Sequence, residues 1–228
     1  MQVEIWSDIA CPWCYIGKRR FERALATFEH GDEVAVRWRS FELDPEAPPE
    51  RGGDRAEHLA RKYGTTVAHA RAIQDHMTEV AAADGLEFHF DRARSGSTFD
   101  AHRLTHLAAA HGLQDAMEER LMRAYLTDGE LISDHPTLAR LAGEAGLPDD
   151  DARDVLGTDR YAGAVRDDER TAASLEITAV PFFVIDRAIG VPGAQPPELL
   201  VKALERAWKA RRPLTVVKGG EACGPEGC

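Results

Sequence analysis

The 228-residue sequence has few cysteines, no excess of basic residues and no long apolar run. Four cysteines are too few for a disulfide-stapled secreted scaffold, and a chain of this length buries enough surface without staples. The formal net charge of −11 argues against nucleic acid and anionic membranes as partners, because both require a basic surface. No apolar stretch approaches the roughly 20 residues of a membrane-spanning helix. With 43% hydrophobic residues, the composition indicates an ordinary globular protein.

The few cysteines are arranged in two close pairs, Cys11 with Cys14 and Cys223 with Cys228. The residues ahead of Cys11 lack the basic start, apolar core and cleavage site of a secretory signal. We therefore expect a cytoplasmic protein, in which close cysteine pairs are usually catalytic, redox-sensing or metal-binding.

Hydrophobic periodicity predicts β-rich ends around a helical middle. Strand, helix and strand follow one another in the first part of the chain, which is the opening of an α/β domain. Strand patterns return at 181–186 and 188–191, followed by an amphipathic helix at 197–210 and an edge strand at 215–217. We therefore predict three parts: a discontinuous α/β domain of residues 1–43 and 177–217, a helical insertion of residues 44–176, and a flexible cysteine-containing tail of residues 218–228.

The first cysteine pair, in Cys11-Pro12-Trp13-Cys14, stands where a predicted strand passes into a helix. The first amides of a helix lack partners and the helix dipole adds positive charge there, so both favour a thiolate at Cys11. Cys14 lies one turn along and is close enough to attack a disulfide formed at Cys11. We expect Cys11 to be the exposed nucleophile, Cys14 the buried resolving thiol, and Trp13 a partly exposed apolar platform.

Two other interpretations of this pair are half of a zinc site and a pair of inert buried thiols. A zinc site needs further ligands at regular spacing, but the next cysteine along the chain is Cys223. Inert thiols would not need the strand-to-helix position. Redox chemistry is therefore favoured, and no metal site is predicted.

Two segments of the sequence resemble the DsbA-type thioredoxin-fold family, most closely its FrnE-like cytosolic branch: SDIACPWCYIGKRRFERAL and, far downstream, ITAVPFFVIDRAIGVPGAQPPELL. The resemblance covers nearly the whole chain. It implies an α/β thioredoxin fold with a large all-helical domain inserted after the first β-α-β unit, and dithiol–disulfide exchange at Cys-x-x-Cys.

The resemblance also implies a cis-proline at Pro181 that faces Cys11, and a Val180 backbone that receives an extended substrate segment. The residues alone favour an ordinary trans proline at a strand start. One position departs from the family: many members carry a buried acid six residues before the nucleophile, where this sequence has Ile5. Glu4 and Asp8 flank that position as alternative proton acceptors for Cys14, although a cap on the turn before the helix is favoured for Asp8.

The second cysteine pair, Cys223 and Cys228, follows a Gly-Gly hinge and encloses glycine and proline residues that favour a tight turn. Its resemblance to a pair in some FrnE-like proteins favours an electron shuttle that exchanges with Cys11 and Cys14. An accessory disulfide and metal capture are the alternatives.

Two histidines, His102 and His106, share one face of a predicted helix. Arg103 stands where zinc proteases carry glutamate after the first histidine, so ordinary core or surface histidines are favoured over a metal pair. The segment STFDAHRL resembles one that lines the active-site cleft in this family. His102 is therefore a candidate cleft residue.

Three functions follow from these observations. The favoured one is a protein thiol–disulfide oxidoreductase of oxidase or isomerase type, with no bound cofactor and with glutathione or thioredoxin as redox partner. The second is a glutathione-dependent isomerase or transferase of the kappa and hydroxychromene-carboxylate-isomerase type, whose members use serine where Cys11 stands. The third is a redox-sensing or metal-binding interaction protein. The complete Cys-x-x-Cys motif favours the oxidoreductase.

Overall fold

The computed structural model describes residues 1–211, which form a four-stranded mixed sheet and nine α-helices. The strands are β1 (Gln2–Ser7), β2 (Ala35–Ser40), β3 (Phe182–Ile185) and β4 (Ile189–Pro192). The helices are α1 (Pro12–Thr27), α2 (Arg55–Tyr63), α3 (Val67–Ala83), α4 (Phe99–Ala110), α5 (Gln114–Arg123), α6 (His135–Glu144), α7 (Asp149–Gly157), α8 (Ala162–Ser174) and α9 (Pro197–Ala210). The seven helices from α2 to α8 lie between β2 and β3 in the chain.

The sheet has the strand order β2-β1-β3-β4. Strand β1 runs parallel to β2 and antiparallel to β3, and β3 and β4 form an antiparallel hairpin. Both faces of β1 are covered, so five of its six residues are buried. This topology confirms the predicted fold class, a thioredoxin fold with a large helical insertion after the first β-α-β unit.

One face of the sheet packs against α1 and α9. Apolar residues at helical spacing in α1, among them Phe21 and Phe28, meet Leu204 of α9 and the sheet residues Ile5 and Phe183 in one core cluster. The other face packs against α8 in a smaller cluster.

The first turn of α1 lies in a different core from the rest of that helix. Cys14, Tyr15 and Ile16 belong to the largest apolar cluster, which is built mainly from helices of the insertion. The ring of Tyr15 stacks on Phe88 with the centroids 6.0 Å apart. The cysteine motif is therefore held at the junction between the sheet and the insertion.

Two helical segments of the insertion have features that apolar periodicity does not predict. The acids of α7 occupy its first turn, where the helix dipole favours them. Helix α5 ends at Arg123 and passes into a π-helical turn, Ala124–Asp128.

Two expectations concern membrane spans and the chain end. None of the helices in residues 1–211 is long and apolar enough to cross a membrane. The edge strand predicted at 215–217 lies outside the described residues.

Candidate active site

Cys11 is the N-cap residue of α1, with Pro12 at the first helical position. Its amide donates to the Asp8 carbonyl oxygen at 3.0 Å, which fixes the turn between β1 and α1. The Cys14 amide donates to the Cys11 carbonyl oxygen at 3.0 Å, so both cysteines belong to one helical turn. Cys11 therefore stands at the N-terminal end of α1, where the helix dipole is positive.

Both thiols are free and both are buried. Cys11 is only 5% exposed, so the expectation of an exposed nucleophile is wrong. The reason is that Val180 and Ala194, from the segments before β3 and after β4, pack against the cluster that contains Cys11. Trp13 projects outward and is 37% exposed, which agrees with its predicted partial exposure.

Cys14 has no exposed surface, and its pKa lies well above the usual value for a thiol. Burial is the largest cause, because the charged thiolate is poorly solvated in the core. The neighbouring Cys11 sulfur raises the pKa of Cys14 further, because two thiolates would repel each other. The neighbouring Ser7 side chain and Asp8 backbone act in the opposite direction and lower the pKa of Cys14. Cys14 is therefore held as a neutral thiol near neutral pH.

The peptide bond between Val180 and Pro181 is cis, as the resemblance implies. The Cys11 sulfur lies 3.8 Å from the Val180 carbonyl oxygen, so this loop faces the thiol directly. Gly17 of α1 permits the close approach, since a Cβ at this position would stand 2.8 Å from the Pro181 ring. The loop before β3 thus packs against the first two turns of α1.

Asp8 joins three parts of the site. Its carboxylate accepts hydrogen bonds from the Ala10 amide at 3.3 Å and the Leu43 amide at 2.8 Å, as a turn-capping residue does. One of its oxygens lies 3.6 Å from Nε2 of His102, which is fully buried rather than placed in an open cleft. Burial alone lowers the pKa of His102, but Asp8 and other nearby carboxylates raise it above its usual value.

Two buried acids that act electrostatically on His102, Glu42 and Glu118, are not among the residues predicted from the sequence. Glu118 of α5 and Glu42, just after β2, both have a pKa raised to about 7, mainly by burial. Arg166 pairs with Glu42 and opposes this effect. A glutamate inside an otherwise apolar helix face, such as Glu118 beside Met117 and Leu121, is the one sequence feature that could have found it.

The other flanking acid, Glu4, is bound to two guanidinium groups. Arg39 and Arg187 both contact its carboxylate, and they hold the pKa of Glu4 below its usual value although burial alone would raise it. Glu4 is therefore neutralised by these partners, which leaves Asp8 as the flanking acid beside Cys14.

Other predicted residues lie apart from the thiols or outside the described chain. His106 contacts Asp168 at 3.2 Å and so does not pair with His102. Residues 1–211 contain no group of three or more His, Cys, Asp or Glu side chains that could hold a metal ion. Cys223 and Cys228 lie outside the residues that the structure describes.

Comparison with known proteins gives relatives along the whole chain. A probable DsbA oxidoreductase from Streptomyces coelicolor is 48% identical, with a TM-score of 0.92 over 100% of this chain and 98% of that one. The uncharacterized protein YwbO of Bacillus subtilis is 27% identical over 92% of this chain and 99% of its own. The cytosolic disulfide reductase DsbM of Pseudomonas aeruginosa, solved with GSH, is 20% identical with a TM-score of 0.65, over 92% of this chain and 100% of that one.

A family model agrees with these neighbours and with the geometry around the two thiols. It matches residues 2–205, a range that includes both cysteines of the motif, the cis-proline loop and the helical insertion. The chain belongs to the family described as the DSBA-like thioredoxin domain.

Proposed function

We propose that this protein exchanges disulfides with cysteine-containing proteins through Cys11 and Cys14. The supporting observation is the pair of free thiols at the start of α1, with the Cys11 sulfur 3.8 Å from the Val180 carbonyl oxygen beside Pro181. Membership of a family of DsbA-like oxidoreductases supports the same chemistry.

The reaction has two steps. In the first, the Cys11 thiolate attacks a substrate disulfide; a bond forms between Cys11 and one substrate sulfur, the substrate disulfide breaks, and the other sulfur leaves as a thiolate. In the second, Cys14 loses its proton and attacks Cys11, so that the Cys11–Cys14 disulfide forms and the remaining substrate thiolate leaves. The substrate gains two electrons and the protein loses two. The same steps in reverse oxidise a substrate dithiol.

The groups around Cys11 suggest how a substrate is held. The Val180 backbone, next to the thiol, offers hydrogen-bonding groups to an extended substrate segment. Trp13 adds exposed apolar surface beside the motif. This arrangement suits an unfolded or flexible cysteine-containing segment better than a buried disulfide.

The experiment that tests this function removes the resolving thiol. Replacing Cys14 by serine should leave the first step intact and block the second, so mixed disulfides with substrate proteins accumulate on Cys11. Both tail cysteines are replaced by serine in this background, so that Cys11 is the only thiol able to form an adduct. Adducts are detected by non-reducing electrophoresis and mass spectrometry, and the matched control also carries Cys11→Ser. Absence of any adduct on Cys11 would contradict the proposal.

For the redox partner we propose glutathione or thioredoxin, in a cytoplasmic setting. A fold neighbour is named a cytosolic disulfide reductase and was solved with GSH, which supports a glutathione partner at this fold. The test follows reduction of the Cys11–Cys14 disulfide by reduced glutathione and by reduced thioredoxin in parallel. Failure of both to reduce it would exclude this assignment.

We also propose that Cys223 and Cys228 relay electrons to the active-site pair. This proposal is supported by their sequence alone. In a variant with Cys14→Ser and Cys228→Ser, a shuttle predicts an internal disulfide between Cys11 and Cys223. Mass mapping that finds Cys223 unlinked to Cys11 would favour the accessory disulfide or metal capture instead.

A further inference from the structure

The helical insertion contains a cavity of about 540 Å³, which we refer to as the insertion cavity. Its walls come from the start of α2, from α3 and from the segment that connects α3 to α4. None of the lining residues in the described chain belongs to the cysteine motif or to the loop at Pro181. The volume lies in the range of small-molecule sites, about 300–1,000 Å³.

Arg55, the first residue of α2, is the basic group of the insertion cavity that is held most firmly. Its guanidinium carbon lies 5.2 Å from the centroid of the Phe90 ring and 5.5 Å from that of Tyr125. One terminal guanidinium nitrogen donates to the Tyr125 hydroxyl. Two aromatic rings and a hydrogen bond therefore fix the guanidinium in place, which lowers the entropy cost of binding a ligand.

The residue that holds Arg55 belongs to the π-helical turn after α5. Tyr125 is buried in this turn, and its hydroxyl also lies 3.3 Å from the Ser95 hydroxyl. Turns of this kind are rare and are frequently found at functional sites. The irregular end of α5 thus places the hydroxyl group that positions Arg55.

Two donors that line the insertion cavity lack a hydrogen-bond partner within residues 1–211. They are Nε of Arg55 and the amide nitrogen of Gln74, and both atoms are buried. Most buried donors in proteins are paired, because an unpaired one is costly. Arg55 also contacts no carboxylate of the described chain, whereas the nearby Arg71 is paired with Asp54 at 2.7 Å. A ligand with acceptor oxygens would satisfy both donors.

The aromatic side of the insertion cavity selects the rest of the ligand. Phe88 and Phe90 are both buried, and their ring centroids are 5.6 Å apart in an edge-to-face arrangement. Both rings line the cavity together with the unpaired donors of Arg55 and Gln74. A guanidinium and an amide are suited to a carboxylate, and aromatic rings are suited to a large apolar group.

Two acids decide the charge of the ligand. Asp75 and Asp91, which we refer to as the rim acids, are exposed residues that line the same cavity. Neither forms an ion pair with a residue that the structure describes. They disfavour a phosphate or a dicarboxylate, because like charges repel, and they can accept hydrogen bonds from an ammonium group. A ligand with one carboxylate and one ammonium group fits this arrangement.

We propose that the insertion cavity binds a free amino acid with a large apolar side chain. Arg55 and Gln74 donate to its carboxylate, Phe88 and Phe90 pack against its side chain, and the rim acids accept from its ammonium group. This site uses none of the residues of the cysteine motif, so the proposal does not depend on thiol exchange.

Equilibrium dialysis of the full-length protein against radiolabelled L-phenylalanine tests the proposal. We expect saturable binding of one molecule per chain. The amide of L-phenylalanine lacks the carboxylate and should compete about tenfold more weakly or worse, because the charged hydrogen bonds to Arg55 are lost. Hydrocinnamate lacks the ammonium group and should also compete more weakly than L-phenylalanine. Equal competition by either analogue, or no saturable binding, would overturn the proposal.

Two substitutions locate the site in the insertion cavity. Gln74→Leu removes one donor at similar volume and should leave folding intact, since the Gln74 amide nitrogen has no described partner to lose. Arg55→Lys keeps the positive charge but loses the planar set of donors. We expect each variant to bind L-phenylalanine about tenfold more weakly than the parent.

The matched control is Arg61→Gln, at an exposed position of α2 outside the insertion cavity, which should bind as the parent does. Circular dichroism checks that every variant is folded. If Gln74→Leu is folded and binds L-phenylalanine with the parent's affinity, the assignment of this cavity is wrong. Equal weakening by Arg61→Gln would likewise contradict it, because the effect would then not be specific to the lining residues.

Discussion

Cys11 and Cys14 are close in sequence and both are buried, but their surroundings differ. Cys11 is the N-cap residue of α1, and its sulfur lies 3.8 Å from the Val180 carbonyl oxygen. Cys14 is fully buried in the core, and burial raises the pKa of its thiol well above the usual value. In the proposed exchange, this difference assigns the attack on substrate to Cys11 and the second step to Cys14.

A buried acid that does not serve the fold should cost stability when it ionises. The folded-state pKa of Glu118, about 7, lies above the ordinary value of 4.5, so the folded state keeps a proton that the unfolded state loses. Stability of the parent should therefore fall as pH rises from about 4.5 to about 7.

Glu118→Gln should remove this cost. We expect the variant to match the parent at about pH 4 and to exceed it by about 2–3 kcal/mol at about pH 8, measured by urea unfolding. Glu57→Gln, at an exposed position of α2, is the control and should change stability equally little at both pH values. A Glu118→Gln variant less stable than the parent at the higher pH would contradict the argument.

At the residue scale the sequence locates the cysteine pair at the start of a helix, because that position depends on neighbours in the chain. It does not reveal the burial of Cys11 or the raised pKa values of Glu42 and Glu118. Those depend on segments brought together only by the fold: the cis-proline loop in one case, and α5 and the segment after β2 in the other.

At the scale of elements, the site depends on how closely α1 approaches the Val180-Pro181 loop. Gly17 sits on the face of α1 that meets Pro181, and a Cβ there would come within 2.8 Å of the proline ring. Glycine inside a helix is usually unfavourable by about 0.5–1 kcal/mol, so its presence here reflects the contact rather than helix propensity.

Gly17→Ala should therefore both destabilise the protein and displace the loop from Cys11. We expect a loss of about 1–3 kcal/mol from overpacking, together with slower adduct formation on Cys11. Gly143→Ala is the matched control, since this exposed glycine of α6 has nothing within 4 Å of a Cβ. The control should be neutral or stabilising by up to about 1 kcal/mol. Equal behaviour of the two variants would show that the contact with Pro181 does not matter.

The elements that carry the cysteine motif were predictable because their signals are local. A β-rich run followed by proline at the first helical position defines the β1–α1 junction, and a run of large apolar residues defines β3. Helix α7 was missed because its stabilisation comes from the helix dipole and from packing against α4 and α6, which a search for apolar periodicity does not weigh.

At the scale of the whole molecule, a buried ion network joins the sheet to the insertion. Arg39 of β2 lies between Glu4 of β1 and Asp168 of α8. Asp168 also accepts from the Ser40 amide at 3.0 Å and contacts His106 of α4 at 3.2 Å. Helix α8 is thereby fixed to the sheet face opposite α1.

Asp168→Asn should break this junction. Burial alone would raise the pKa of Asp168, but His106, the Ser40 amide and Arg39 hold it below its usual value of 3.8. The ionised Asp168 therefore contributes to folding stability above about pH 4. This contribution is lost as the pH falls through the lowered pKa of Asp168 in the folded state. We expect a loss of about 3–5 kcal/mol at neutral pH, as for other broken buried ion pairs, and a smaller loss in acid.

The neighbouring Asp167→Asn is the matched control for this experiment. Asp167 is exposed and pairs only with Arg170 among the described residues, so its replacement should cost at most about 0.5 kcal/mol. Both variants are compared by urea unfolding at neutral and acid pH. Equal losses at the two positions would contradict the role given to the network.

The proposed function requires Cys11 and Cys14 to form a reversible redox pair. Its most direct test is a titration in glutathione redox buffers, with thiol trapping and mass spectrometry that reads each cysteine separately. We expect Cys11 and Cys14 to change together as a two-electron couple, with a midpoint between about −270 and −120 mV, the range of thioredoxin-fold oxidoreductases. If Cys11 and Cys14 form no disulfide at any buffer potential, or if Cys11 alone holds a stable glutathione adduct, the proposed redox pair is contradicted.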